Sequence, residues 1–244
     1  MHTRTLAIKD FDSFQIVFET DDYALVFKPP NIPTAPLHEN EPDTLLARFF
    51  EERPQAKNVC GAKKSIEAGL IHRLDTPTSG LVIIAKKQAA YNALLNLQEN
   101  ELITKTYFAF CCSSTDVQIS LPLTIKTKFR PFGVGGKKVK PIPLDAPCRK
   151  KTSDTIYTTQ LISCSTQRNY LAMQVQITKG YRHQIRSHLS SCGFPIVGDS
   201  LYNEKHCSGR LQLYAIALQF PQNIYNESSP QIRLAINTPK NILH

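Results

Sequence analysis

The segment 71–85 constrains the fold of this 244-residue chain more than any other part of it. Turn-forming residues surround Asp75, and the apolar run 81–85 that follows has the composition of a buried strand. A side chain in such a turn is held rigidly and still faces a cleft. Within residues 53–98 the acidic residues are Glu67 and Asp75 alone. A carboxylate kept ionised among cations suits a nucleophile or an electrostatic stabiliser. The competing interpretation is that Asp75 only stabilises its turn by accepting backbone hydrogen bonds.

The positive charge of the chain is concentrated in one segment. The net charge is +9, and residues 126–151 contain nine basic residues and one acid, so the rest of the chain is almost neutral. Cations interleaved with aromatic and glycine residues favour binding to nucleic-acid phosphates, because each neutralised phosphate releases condensed counterions. We therefore expect RNA contacts at Lys137, Lys138 and Lys140. The alternative is a solvated basic loop that only improves solubility. The segment is expected to form a long loop or a loose hairpin that orders fully on RNA.

The overall composition is that of an ordinary globular protein, with 41% hydrophobic and 20% charged residues. The first residues lack an apolar signal core, and no apolar run reaches membrane-spanning length. Seven cysteines without a Cys-x-x-Cys pair indicate reduced thiols. These features predict a soluble cytoplasmic protein.

Hydrophobic periodicity predicts short strands and helices along the whole chain. Strands are expected at 16–18, 24–27, 81–85, 104–110, 155–164, 169–178 and 213–220, with one more in the tail 222–237. Helices are expected at 41–52, 88–100 and 179–189. On the last of these, Arg182 and Arg186 are spaced to share one face. The histidines His183 and His188 miss the spacing of a helical metal pair, so a metal site is not expected.

Six motifs, in the order that the family has them, resemble those of the RluA-like family of RNA pseudouridine synthases. His72-Arg73-Leu74-Asp75 followed by Thr78-Ser79-Gly80-Leu81 is similar to the signature that carries the family's catalytic Asp. The other segments that match family motifs are Lys28-Pro29, Lys105-x-Tyr107, His183-Gln184-Ile185-Arg186, 195–202 and 213–220. Asn31, shortly after the first of these, lies near a position where the family commonly has glycine.

The resemblance implies a role for each matching side chain. Asp75 would be the catalytic nucleophile, Tyr107 would stack on the target base, and Arg186 would pair with Asp75. Lys28, His72, Arg73 and Arg182 would contact RNA.

The same resemblance implies an α+β fold with a mixed, mainly antiparallel central sheet flanked by helices. We expect a single catalytic domain over residues 1–244, with its core at 14–220, a basic insertion at 126–151 and no separate N-terminal RNA-binding domain. The implied reaction converts specific uridines of rRNA or tRNA into pseudouridine without a metal or organic cofactor. We expect a monomer that acts on RNA, not on DNA or a membrane.

Two other functions compete with this interpretation. A non-catalytic RNA-binding relative would keep the basic segment, although Asp75, Tyr107 and Arg186 are all present. A glycoside hydrolase would need a second carboxylate about 5 to 10 Å from the first, and the sequence offers only a distant candidate, Asp199.

Overall fold

The computed structural model describes residues 3–38, 41–61, 64–112, 119–147, 150–167, 169–206, 208–221, 223–224, 227–228 and 231–235. The chain divides into two compact units, one formed by Met1–Thr104 with Ala215–His244 and the other by Lys105–Tyr214. Arg149 of the basic segment lies outside the described residues.

Every helix and strand expected from the sequence has a counterpart in the structure, which also contains an unexpected strand at Thr3–Ala7 and several short strands in the tail. In chain order the strands are β1 (Thr3–Ala7), β2 (Gln15–Glu19), β3 (Tyr23–Lys28), β4 (Ser79–Ala85), β5 (Thr104–Cys112), β6 (Leu123–Phe132), β7 (Lys138–Ile142), β8 (Tyr157–Gln167), β9 (Tyr170–Ile177), β10 (Leu213–Gln219), β11 (Asn223–Ile224), β12 (Glu227–Ser228) and β13 (Gln231–Ala235). The helices are α1 (Leu45–Glu52), α2 (Gln88–Glu99) and α3 (Gln184–Ser191), with short 3-10 turns between several elements.

The first unit contains a sheet and the helices α1 and α2. Its strands follow the order β2-β3-β4-β10, and β13 joins β10 to β1. Strands β3 and β4 are buried at every position, as expected for uninterrupted apolar runs. Helix α1 begins after Thr44, whose side chain accepts a hydrogen bond from the Ala47 backbone N–H and so caps the helix.

The second unit is a meander of antiparallel strands in the order β5-β9-β8-β6-β7. Along β9 the side chains of Met173, Val175 and Ile177 are buried, the alternation expected for a strand with one apolar face. In the two units together every described strand pair with a resolved register is antiparallel except β1 with β13. The expected α+β fold with a mixed, mainly antiparallel sheet is confirmed.

The third helix begins later than the sequence predicts. His183 has φ 55°, a left-handed conformation that no α-helix continues through, and α3 starts at Gln184. Arg182 therefore precedes the helix, and the prediction that Arg182 and Arg186 share a helical face is wrong.

The basic segment is expected to form either a long loop or a loose hairpin, and the structure shows a hairpin. Strand β6 pairs with β8 over its first half and with β7 over its second half. The turn between β6 and β7 contains Gly133, Gly135 and Gly136, with φ of 77°, 61° and 66°. These glycines have a structural reason, since few other residues adopt such angles. Among the described residues, no helix is long and apolar enough to cross a membrane.

Candidate active site and RNA interface

Asp75 lies half-buried in the turn that leads into β4. The backbone N–H of Thr78 donates to the carbonyl oxygen of Asp75 at 3.0 Å and closes the turn. Two residues further, Gly80 has φ 127°, and a Cβ atom there would lie 2.3 Å from the carbonyl oxygen of Ala215. Only glycine fits at this point, so the close approach of the two strands fixes the exit of the chain from the Asp75 turn.

Lys28 lies beneath this turn and is fully buried at the end of β3. Its ammonium donates to the carbonyl oxygens of Pro29 (2.9 Å), Ile32 (2.8 Å) and Thr76 (2.9 Å). Burial lowers the pKa of Lys28 to about 7, and the negative charge of Asp75 opposes this shift. Three carbonyl acceptors match the three hydrogens of an ammonium group, which also favours the charged form. This geometry favours a role for Lys28 in holding the turn over direct contact with RNA.

The loop after Lys28 keeps its geometry without the glycine that the resemblance leads one to expect. Asn31 has φ 64°, in the left-handed region. Asparagine tolerates this region better than other residues with a Cβ atom. The substitution therefore preserves the loop.

Arg73 and His72 precede Asp75 on the same segment. The Arg73 side chain is 57% exposed, and its Nη1 lies 3.1 Å from Oε1 of Glu67. The exposed guanidinium is free to exchange this weak surface contact for a phosphate. His72 is half-buried.

Thr34 is a residue of the first unit that sequence reasoning missed. Its side chain is buried and hydrogen-bonded to the backbone of Leu74, immediately before Asp75. The two residues are 40 positions apart, so no local pattern could indicate the contact.

Tyr107 and Lys105 lie on β5 in the second unit. Tyr107 is 5% exposed and faces Val175 across the ladder with β9. Lys105 is also buried, and its ammonium donates to the carbonyl oxygen of Thr178 at 2.6 Å. The Lys105-x-Tyr107 motif therefore fixes the end of β5 against the segment that follows β9.

Arg186 is held by a buried ion pair on α3. Its Nε and Nη2 donate to the two carboxylate oxygens of Asp199, each at 2.8 Å. The side chains of Arg186 and Asp199 are 3% and 0% exposed. The Arg186 guanidinium also lies over the ring of Tyr202, with 5.4 Å between its central carbon and the ring centroid. A planar bidentate pair of this kind fixes the direction of the guanidinium.

The β6–β7 hairpin has one apolar and one basic face. Residues of even number point to one side, since side chains alternate along a strand. The cations on that side are Lys126, Lys128, Arg130, Lys138 and Lys140. Arg130 and Lys140 face each other in the ladder. Like charges in this position repel each other, and an anionic ligand would relieve the repulsion.

The opposite face of the hairpin packs on α3 and its flanks. Phe129 is fully buried, stacks on Tyr181 with 4.9 Å between the ring centroids and also contacts His188 at 4.8 Å. The Val139 N–H donates to the Tyr202 hydroxyl at 2.7 Å, and the Ser187 hydroxyl donates to the Val139 carbonyl at 3.0 Å. The basic face is thus presented by a rigid element.

Arg182 and Lys137 lie at the turn of this hairpin. The Arg182 guanidinium donates to the carbonyl oxygens of Gly136 and, at 3.3 Å, Lys138. Arg182 is exposed and at the same time ties the turn to the segment before α3. Lys137 is exposed and immediately precedes β7.

The fold and these motifs define a class of RNA-modifying enzymes. The family model described as RNA pseudouridylate synthase matches residues 22–191, and the chain belongs to this family. Among curated proteins, the dual-specificity RNA pseudouridine synthase RluA of Vibrio parahaemolyticus is 31% identical, over 84% of this chain and 76% of that protein. The ribosomal large subunit pseudouridine synthase D of Haemophilus ducreyi is 28% identical, over 77% of this chain.

Solved structures share the fold of this chain. Human RNA pseudouridylate synthase domain containing 1 has a TM-score of 0.68 with 19% identity, over 93% of this chain and 84% of that chain. The human domain containing 4 protein has a TM-score of 0.63 with 18% identity, over 84% of each chain. The chain spans 52% of the length of the Haemophilus ducreyi synthase.

Proposed function

We propose that this protein converts uridine to pseudouridine in RNA, with Asp75 as the nucleophile. In this isomerisation the bond between the ribose anomeric carbon and N1 of uracil breaks, and a bond from the same carbon to C5 forms. The C5 proton is lost to solvent, and N1 gains a proton. Asp75 would attack either the anomeric carbon or the uracil ring.

The observation that carries the proposal is the setting of Asp75 in its family motif. The carboxylate lies in a turn whose exit is fixed at Gly80 and whose underside is held by the Lys28 ammonium. The negative charge of Asp75 opposes the lowering of the Lys28 pKa by burial and so favours the ammonium form that holds the turn. Family membership supports the reaction class.

The other two catalytic assignments are part of the same proposal. Tyr107 would stack on the extruded base, and Arg186 would stabilise the ionised form of Asp75. The motif resemblance supports this role, and the buried pair with Asp199 fixes the direction of the guanidinium within the second unit. The target uridine must leave its stack to react, at a cost of about a few kcal/mol.

RNA binding is proposed for the basic face of the β6–β7 hairpin, together with Arg73 and Arg182. Lys138 and Lys140, expected to bind RNA from the sequence, belong to this face, and Lys137 lies beside it. Relatives are named as synthases of the ribosomal large subunit, so rRNA is the first substrate to test and tRNA the second. A monomeric, cytoplasmic enzyme without a cofactor stays a prediction.

The reaction is tested with RNA labelled with tritium at C5 of uracil. We expect the wild-type protein to release tritium into solvent and Asp75→Asn to release none, while its RNA affinity stays within about twofold. The matched control is Asp22→Asn, which removes an exposed carboxylate paired with Lys87 and should leave release unchanged. Tritium release by Asp75→Asn at the wild-type rate would show that Asp75 is not the nucleophile. Binding without release by the wild-type protein would favour the non-catalytic relative.

A further inference from the structure

We infer that Thr34 is a positioning residue that, with Lys28, fixes the backbone on both sides of Asp75. The Thr34 side chain is buried, with 3% of the residue exposed. Its hydroxyl donates to the Leu74 carbonyl oxygen at 2.7 Å and accepts from the Leu74 N–H at 3.1 Å. This inference rests on the proposed role of Asp75.

The Thr34 hydroxyl supplies the hydrogen bonds that a neighbouring strand would otherwise give to the Leu74 backbone. Residues 71–75 belong to no helix or strand, so their backbone groups need other partners when buried. Leu74 is buried, and one hydroxyl satisfies both of its backbone groups. A hydroxyl can fill both roles because it carries one donor hydrogen and acceptor lone pairs.

The two supports hold adjacent points of the chain. Thr34 binds the residue before Asp75, and the Lys28 ammonium binds the carbonyl of Thr76, the residue after it. The backbone entering and leaving Asp75 is thereby tied to the single loop 28–34. These ties fix the backbone that presents the half-buried Asp75 side chain.

The loop in turn is anchored to the core through α1. The backbone N–H groups of Leu45 and Leu46 donate to the carbonyl oxygens of Pro33 (2.9 Å) and Thr34 (3.2 Å). Leu45 and Leu46 are fully buried. The position of the Asp75 backbone is therefore set by a rigid helix N-terminus, and removal of the Thr34 hydroxyl would loosen Asp75 without exposing the core.

The test compares Thr34→Val with Thr34→Ser, using total RNA labelled at C5 of uracil as the substrate. The valine variant keeps the shape and loses the hydroxyl, whereas the serine variant keeps the hydroxyl. We expect Thr34→Val to lower kcat for tritium release by about 10- to 100-fold, since a displacement of about 1 Å at a reacting group has this effect. The apparent KM for RNA should stay within about twofold. Thr34→Ser should restore kcat to near the wild-type value.

The control is Thr20→Val, which removes a half-buried hydroxyl from the turn at the other end of β3. It should lower stability and leave kcat unchanged. Equal losses of kcat in the valine and serine variants, or a loss confined to KM, would overturn the positioning role. If Thr34→Val does not fold, Thr34→Ala and Thr34→Ser form a second pair that differs by one oxygen atom.

Hydrogen exchange of the Leu74 amide separates this inference from the proposed function. The amide should exchange faster in Thr34→Val and Thr34→Ala than in the wild-type and serine proteins. Unchanged protection would overturn the inference even if the enzyme is active. An inactive wild-type protein would instead refute the proposed function, and Leu74 exchange would still decide whether Thr34 holds the loop.

Discussion

At the scale of single residues, the site depends on a few side chains whose partners are distant in sequence. The motif around Asp75 could be recognised from sequence because its residues are contiguous. The contacts of Lys28 with Thr76 and of Thr34 with Leu74 could not be recognised from sequence, because each joins residues that lie 40 or more positions apart. Arg186 also has a bidentate partner within its own unit, Asp199, while its pairing with Asp75 stays a prediction.

Asn31 tests whether the loop after Lys28 needs a left-handed residue. Replacement of Asn31 by valine should lower the free energy of unfolding by about 1 to 2 kcal/mol, because a β-branched residue is strained at φ 64°. Replacement by glycine should change it by less than about 1 kcal/mol. Urea unfolding of the three proteins measures both values, and equal stability of the valine and glycine variants would contradict the explanation.

Asp199 tests the anchoring of Arg186. Asp199→Asn should destabilise the protein by about 3 kcal/mol or more, because it leaves a buried guanidinium charge poorly paired. The matched control is Asp43→Asn, whose side chain is 73% exposed in its pair with Arg48 and should cost less than about 1 kcal/mol. Denaturant titration compares them, and similar small losses in both would show that the buried pair does not hold Arg186.

At the scale of elements, hydrophobic periodicity predicts the three helices and seven of the strands, but not β1, and it predicts one strand in the tail where the structure has β11, β12 and β13. It missed the start of α3, because one left-handed residue, His183, ends the preceding segment without disturbing the apolar pattern. It also left the basic segment between a loop and a hairpin. The hairpin is stabilised by long-range packing of Phe129 and Val139 on the α3 region. Composition alone does not indicate these contacts.

If the basic face of the hairpin binds RNA phosphates, RNA affinity should depend on salt concentration through its lysines. Changing Lys126, Lys128 and Lys140 to glutamine should weaken RNA binding and reduce the slope of log K against log salt by about 0.7 to 0.9 for each phosphate that the variant no longer neutralises. The control changes Lys9, Lys57 and Lys87 of the first unit, which removes the same charge. Filter binding over a range of salt concentrations measures the slopes. Equal slopes for the two triple variants would mean that only net charge matters.

At the scale of the whole molecule, each unit contains a group that makes the fold sensitive to acid. Burial lowers the pKa of His188 to about 4, and its ring nitrogens contact the hydroxyls of Thr127 and Thr159. Hydrogen bonding to Arg53 lowers the pKa of Glu19 to about 2, with Lys86 contributing. Both groups bind protons more tightly when the chain is unfolded, so both reduce stability as the pH falls.

The pH windows of the two groups differ. The His188 contribution is complete above pH 6.5 and is lost as the pH falls towards 4, and that of Glu19 is complete above pH 4.5 and is lost towards 2. Between pH 7 and pH 5 the wild-type protein should lose about 2 kcal/mol more stability than His188→Gln. Urea unfolding at the two pH values gives the difference, and equal losses would show that His188 titrates normally.

The central claim is that Asp75 isomerises uridine in cellular RNA. Pseudouridine mapping of total RNA from a strain lacking this gene, complemented with either the wild-type or the Asp75→Asn gene at equal protein levels, tests it most directly. We expect at least one uridine that is modified with the wild-type gene and unmodified with Asp75→Asn. Restoration of that pseudouridine by Asp75→Asn would contradict the claim, as would identical maps with and without the wild-type gene.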